Sequence, residues 1–346
     1  MKRITVRGRF GTSRILVGKS LAELPRLVDL DRAIAVVDAN AYRHHRSALP
    51  RIRPILIRGG ESAKTLDTVR RIDRELLKRG ADRSSFLLGI GGGVVCDIAG
   101  FVASTYMRGL KFGFVSTTLL SQVDASTGGK NGVNLDGAKN IVGVINQPEF
   151  VLCDPRFLRT LPAREVRNGF AEVIKHGAIG APALLNVLEK ESVKAKSLDS
   201  GLMARIVAAS IRVKAAIVGR DERENGERKH LNFGHTLAHA MEKAYAVPHG
   251  QAVAVGMVFA LRLSLKKGIL KNPRVIERLE RLLGLYGLPV ALNKDPRPVL
   301  AAMAQDKKKS GRDVDFVFLR DIGDPCVRPI PLRTLMEDGF DLCQPA

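Results

Sequence analysis

Short apolar runs alternate with amphipathic stretches through the first half of the chain. Ala33-Ile34-Ala35-Val36-Val37, Ile55-Leu56-Ile57, Phe86-Leu87-Leu88 and Phe112-Gly113-Phe114-Val115 are continuous rather than alternating, the pattern expected of strands buried on both faces. Residues 66–79 carry the spacing of a helix between two of them. This rhythm predicts an α/β fold with a Rossmann-like parallel sheet and helices on its faces. After Pro162 the pattern changes to long helical stretches at 164–179, 202–218, 235–245, 253–267 and 275–286, with Phe316-Val317-Phe318-Leu319 as one short late strand. The expected organisation is an α/β domain over residues 1–160 and a mainly α-helical domain over 161–346. A chain of 346 residues with 45% hydrophobic content has enough apolar material for two such cores.

Composition narrows the class. No stretch approaches the about 20 uninterrupted apolar residues of a membrane span, and the Met1-Lys2-Arg3-Ile4-Thr5-Val6-Arg7 start lacks the apolar centre of a secretion signal. The expected location is therefore the cytoplasm, away from membranes. Cys96, Cys153, Cys326 and Cys343 are scattered, without the pairing of a thiolate metal site or a disulfide framework. A formal net charge of +21 would attract polyanions. Aromatics are only 5%, tryptophan is absent, and the basic residues are dispersed, so nucleic acid is disfavoured relative to a small anionic substrate or a general adaptation of the surface.

Candidate chemistry begins at Gly89-Ile90-Gly91-Gly92-Gly93, which follows an apolar strand and precedes the helical segment Val94-Val95-Cys96-Asp97. Such a turn lets backbone approach a phosphate, with helix N–H groups facing it. Valine at position 94 breaks the GxGxxG spacing, and a tight strand-to-helix connection is the competing reading. Asp38 and Asn40 at the end of one strand, and Gly59-Gly60-Glu61-Ser62-Ala63-Lys64 at the end of another, suit ribose hydroxyls and a second flexible loop.

Four of the seven histidines, His230, His235, His239 and His249, fall within twenty residues. His235 and His239 are four apart and share a helix face. Thr236 stands where an HExxH protease carries its glutamate, which argues against that class. Glu172 lies among apolar residues and needs a cation or a hydrogen-bond partner. The residues alone leave two readings open, a metal site or satisfied core histidines beside a buried ion pair. Lys130 and Lys139 stand among glycines and amides at 123–134 and 137–140, either reaching an anion or lying in a solvated loop. The basic run at 306–312 reads first as a solvated turn.

GGGVVCDIAGFVASTYMRG (91–109), TTLLSQVDASTGGKNGVN (117–134), AKNIVG (138–143), LRTLP (158–162), AEVIKHG (171–177), DERENGERKHLNFGHTLAHAMEKA (221–244) and PHGQAVAVGM (248–257), in this order and at these spacings, closely resemble the 3-dehydroquinate synthase family. The resemblance implies a cyclase that turns 3-deoxy-arabino-heptulosonate 7-phosphate into 3-dehydroquinate and phosphate, a step of aromatic amino acid and chorismate biosynthesis. The alternatives are a related cyclase acting on another heptulose phosphate and a metal-dependent polyol dehydrogenase of similar architecture.

By the same resemblance, NAD is held by Asp38, Asn40, Gly59, Gly60, Glu61, Ser62, Ala63, Lys64, Gly93, Val94, Val95, Cys96, Asp97, Thr117, Thr118, Lys130, Lys139, Phe157, Leu158, Arg159 and Thr160. A divalent metal, usually zinc with cobalt as the other candidate, takes Glu172, His235 and His249, and His239 belongs to the reacting centre. Lys175, Lys214, Arg228 and Asn232 contact the sugar-phosphate substrate, with Asp124, Lys130, Lys139 and Asn140 in the same pocket. Arg108 reaches the phosphate from a neighbouring subunit, which implies a homodimer, and a late lysine, Lys307 or Lys308, approaches the carboxylate. Cys96, Gln251 and Leu135-Asp136-Gly137 depart from family habit without removing an expected metal ligand or substrate lysine.

Overall fold

Backbone groups buried on both faces can be satisfied only by neighbouring strands, and the apolar runs accordingly sit side by side in one seven-stranded sheet. The computed structural model describes residues 2–9, 11–307 and 313–342. In chain order the strands are β1 (Lys2–Gly8), β2 (Gly11–Val17), β3 (Ala33–Asp38), β4 (Ile55–Ile57), β5 (Phe86–Gly91), β6 (Lys111–Ser116) and, after a separate hairpin of β7 (Lys130–Leu135) and β8 (Ala138–Ile145), β9 (Phe150–Cys153). Across the sheet the order is β1-β2-β9-β6-β5-β3-β4. Only β1 runs antiparallel to its neighbour. From β3 the chain steps outward to β4, then returns to the other side of β3 as β5, so the order reverses at the carboxyl ends of β3 and β5.

The helices are α1 (Ala39–His45), α2 (Leu66–Lys78), α3 (Gly93–Thr105), α4 (Ala163–Gly180), α5 (Pro182–Lys190), α6 (Ser192–Lys196), α7 (Ser200–Arg220), α8 (His235–Tyr245), α9 (His249–Lys266), α10 (Arg274–Leu285), α11 (Arg297–Lys307) and α12 (Leu332–Leu342), with a late hairpin of β10 (Asp313–Asp321) and β11 (Asp324–Pro331). Local chemistry sets several boundaries. The Thr65 hydroxyl accepts the Thr68 N–H to cap α2, and Val69, Ile72 and Leu76 form its buried stripe. Among the described residues no helix is long and apolar enough to cross a membrane.

Two compact units result, Met1–Val166 with Leu198–Glu222, and Arg167–Ser197 with Arg223–Ala346. In the first, Leu24, Val37, Leu88, Ile90, Phe150 and Leu152 share a core on one face of the sheet. The second is built around α9, buried from Ala252 to Leu261 without interruption, as a helix enclosed on all sides must be.

The structure differs from the sequence expectation in three places. Helix α7, which linear order put with the second half, packs on β1 and β2 and belongs to the first unit. The segment at 130–145, one reading of which was a solvated loop, is a hairpin. Its turn is Asp136-Gly137, both with positive φ (47° and 79°), as a two-residue type I′ turn requires, and that dipeptide was the available signal. Strands β1, β2, β9 and β11 were also unanticipated: β1, β2 and β11 carry mixed polar patterns, and β9 is an apolar run of only four residues, too short for periodicity to identify.

Candidate active site

In the second unit, three helices deliver the functional groups. Helix α4 presents Glu172 and Lys175 three residues apart, so both side chains fall on one face and pair. Helices α8 and α9 begin on His235 and His249, which places both imidazoles at helix starts. Close approach of these helices needs glycine: a Cβ on Gly256 would collide with the Gly234 carbonyl, and Gly234 itself has φ 81°. The Gly250 N–H donates to the Asn168 side-chain oxygen at 3.2 Å, which ties the start of α9 to α4.

The metal-ligating atoms of Glu172, His235 and His249 all lie within 4.8 Å of one another. Glu172 is fully buried, with Lys175 paired to its Oε2 and its Oε1 facing two imidazoles. Nε2 of His235 and Nε2 of His249 stand 3.6 and 3.3 Å from Glu172 Oε1. The opposite nitrogens are engaged: Nδ1 of His235 on the Phe233 carbonyl at 3.3 Å, and Nδ1 of His249 on Glu242 at 2.7 Å. Anchoring Nδ1 fixes each ring and leaves Nε2 as the donor toward a cation.

Electrostatics agree with the geometry. Burial, reinforced by the Lys175 charge, drives His235 down to about 3, so its imidazole is neutral and able to donate a lone pair. Burial acts on His249 in the same direction, but hydrogen bonds to Glu172 and Glu242 outweigh it and raise that ring to about 9. Burial also opposes ionisation of Glu172, yet Lys175, His249 and His235 together hold it well below the usual carboxylate range. The two carboxylates thus hold on His249 a proton that a divalent cation would displace on binding. A buried carboxylate with two oriented imidazoles is a donor set that fits such an ion.

His239 stands edge-on to His235, with ring centroids 5.4 Å apart, outside the group of three. Arg228 is buried on the short Glu227–Asn232 turn, and the Asn232 amide donates to Glu224. Sequence reasoning assigned no role to Glu242 or Glu224. For Glu242 a signal existed, since residues 235, 239 and 242 share one face of α8. The late lysine expected at Lys307 or Lys308 lies outside the described side chains.

In the first unit, the nucleotide candidates gather along the carboxyl ends of parallel strands. Asp38 ends β3 and caps α1, its Oδ1 accepting the N–H groups of Asn40 (2.8 Å) and Ala41 (3.0 Å). Side-chain-free backbone is needed at Gly59, where a Cβ would strike Asp38. Gly91 ends β5, Gly92 precedes the first turn of α3, and Thr117 N–H donates to the Gly91 carbonyl at 2.9 Å. This is the crevice at the switch between β3 and β5, where open parallel sheets bind dinucleotides. Val94, Val95 and Cys96 form the first turn of α3. Lys64 pairs with Asp97, whose pKa burial nevertheless raises to about 6. Phe157, Leu158, Arg159 and Thr160 lie on the Pro155–Thr160 turn, and the Thr160 hydroxyl is 2.8 Å from His45. Lys214, from α7, reaches Asp124 Oδ1 at 2.6 Å and its carbonyl at 2.8 Å. Lys130, Lys139 and Asn140 are exposed on the β7–β8 hairpin, and Arg108 is exposed on a left-handed turn with φ 68°.

Known proteins match this chain along most of its length. The family pattern described as 3-dehydroquinate synthase N-terminal covers residues 54–168, and that described as 3-dehydroquinate synthase C-terminal covers 169–309. A 3-dehydroquinate synthase of Leptospira interrogans is 39% identical over 325 residues, 92% of this chain and 89% of that protein. Among solved structures, a 2-deoxy-scyllo-inosose synthase complexed with carbaglucose-6-phosphate, NAD+ and Co2+ superimposes with a TM-score of 0.86 at 23% identity, covering 98% of this chain and all (100%) of that one. The 2-epi-5-epi-valiolone synthase of Streptomyces hygroscopicus, with NAD+ and Zn2+ bound, gives 0.86 at 26% identity, with 99% and 98% covered.

Proposed function

Because the chain belongs to the 3-dehydroquinate synthase family, we propose that it converts 3-deoxy-arabino-heptulosonate 7-phosphate into 3-dehydroquinate and inorganic phosphate. The observation that carries this reading is the buried Glu172 carboxylate, whose Oε1 is faced by two oriented imidazoles, in a chain whose crevice between β3 and β5 suits a dinucleotide. When bound, a divalent cation, zinc in this reading, supplies Lewis acidity toward a substrate hydroxyl, and NAD supplies a hydride acceptor.

The chain's own residues do the remaining work. Glu172, His235 and His249 hold the cation, and Lys175 keeps Glu172 ionised and fixed. His239, beside His235 but outside the ligand set, carries a proton on an imidazole nitrogen at the reacting centre. Arg228 and Asn232 orient anionic and hydroxyl groups of the substrate. In the first unit, Lys64, Asp97 and the glycine turn bind the nucleotide. Lys130, Lys139, Asn140 and the Lys214–Asp124 pair serve the sugar phosphate. Arg108 completes the phosphate site of a neighbouring subunit, so the working form is a homodimer. A neutral polyol would have no use for so many lysines and arginines, which favours cyclase over dehydrogenase.

The substrate loses phosphate and closes a ring with no net redox change, so the hydride must return within each turnover. Purified protein given 3-deoxy-arabino-heptulosonate 7-phosphate and NAD should release phosphate over many turnovers without accumulating NADH. Glycerol should give neither signal. Stoichiometric NADH from an unphosphorylated alcohol, with no phosphate released from the heptulosonate, would overturn the assignment.

A further inference from the structure

We infer that Asn134 is a positioning residue that ties the nucleotide-contacting loop at 59–64 to the substrate-contacting β7–β8 hairpin, so that the two respond to the nucleotide as one. The inference rests on the roles proposed above for the loop and for Lys139 and Asn140. Asn134 is half-buried near the end of β7 and makes three hydrogen bonds to two segments, the loop at 59–64 and β8. Its side-chain Nδ2 donates to Glu61 Oε1 at 2.8 Å. Its Oδ1 accepts the backbone N–H of Asn140 at 2.8 Å. Its own N–H donates to the Lys64 carbonyl at 2.9 Å, within an isolated parallel bridge between Thr65 and Asn134.

The amide supplies both the donor and the acceptor that these two bonds need. A carboxylate could serve Asn140 but not Glu61, and an aliphatic side chain neither. The geometry around it needs such a tie. The loop follows a strand of only three residues and passes through Gly60 at φ 101°, so its placement depends on such side-chain ties. Asn140 is left-handed at φ 55°, and its backbone N–H is fixed by Asn134 while its side-chain oxygen accepts from Lys64. Lys64 in turn pairs with Asp97 at the start of α3. A nucleotide that orders the loop therefore orders the conformation of Asn140 and the adjoining Lys139.

Hydrogen exchange on the full chain, with and without NAD, reads this coupling directly. In the parent protein NAD should slow exchange in peptides from both 59–65 and 130–145. Asn134→Asp keeps the acceptor for Asn140 but sets a carboxylate against Glu61. NAD protection should then persist in the loop and be lost in the hairpin, with KM for the heptulosonate raised about tenfold through misplacement alone. Adding Glu61→Gln supplies a donor to that carboxylate and should restore both hairpin protection and KM; Glu61→Gln alone retains an acceptor for Asn134 and should keep the coupling. Loop protection without hairpin protection in the parent, undiminished coupling in Asn134→Asp, or no rescue in the double variant would each overturn the inference while leaving the functional reading intact. Absence of any NAD effect in the parent would instead defeat that reading, and the inference with it.

Discussion

Single side chains divide here into those that would bind an ion and those that only orient the ligands. His235 and His249 present Nε2 to the same oxygen of Glu172, whereas Glu242 meets His249 at the opposite nitrogen, Nδ1. Replacing either histidine by alanine should abolish bound metal and activity together. His239→Ala should retain metal and lose turnover, and Glu242→Ala should weaken metal affinity by about 10–100-fold, the usual effect of removing an outer-shell carboxylate. Metal analysis after dialysis separates these outcomes. Loss of metal in His239→Ala with retention in His249→Ala would refute the ligand assignment.

Helix α12 illustrates how an element is held by charge as well as by packing. Asp338 is buried and faces Lys266 at 2.6 Å and Lys267 at 2.9 Å, at the end of α9. Burial alone would raise its pKa, but the two ammonium groups reverse that and leave the carboxyl below its ordinary value. A depressed folded-state pKa gives a stabilising contribution that is present above about pH 4, the unfolded value, and disappears as pH falls through the folded value. Asp338→Asn should therefore cost roughly 1 kcal/mol at pH 7 and less at about pH 3. Urea midpoints of parent and variant at the two pH values test this; an equal difference at both would show that the carboxylate charge is not the cause.

At the scale of the whole molecule, the formal charge of +21 is compatible with a doubly anionic substrate, and Arg108 provides a test of assembly. If this arginine acts in a neighbouring subunit, Arg108→Ala and Lys175→Ala, each inactive alone, should regain partial activity when mixed, because hybrid dimers contain one intact site. Size-exclusion chromatography should show the dimer, and subunit exchange should be verified with tagged copies. Zero recovery after complete exchange would place Arg108 in its own subunit's site.

The order of chemistry along the chain was legible in the sequence because it depends on local pattern. Continuous apolar runs marked β3, β4, β5 and β6, helical spacing marked α2, α4, α8 and α10, and the quoted motifs marked the family. Glu172 could be singled out as a charge among apolar neighbours, and His235 and His239 as sharing a helix face. Spacing could not decide which pair of imidazoles would meet Glu172. His239 is one turn from His235, whereas His249 lies beyond the end of α8, and only the approach of α8 and α9 through Gly234 and Gly256 turns its Nε2 toward the same oxygen. Strand order, the return of α7 to the first unit and the tie made by Asn134 are likewise contacts between segments distant in sequence. No local propensity encodes them, because they are fixed by which buried surfaces and hydrogen-bonding groups can be satisfied together in three dimensions.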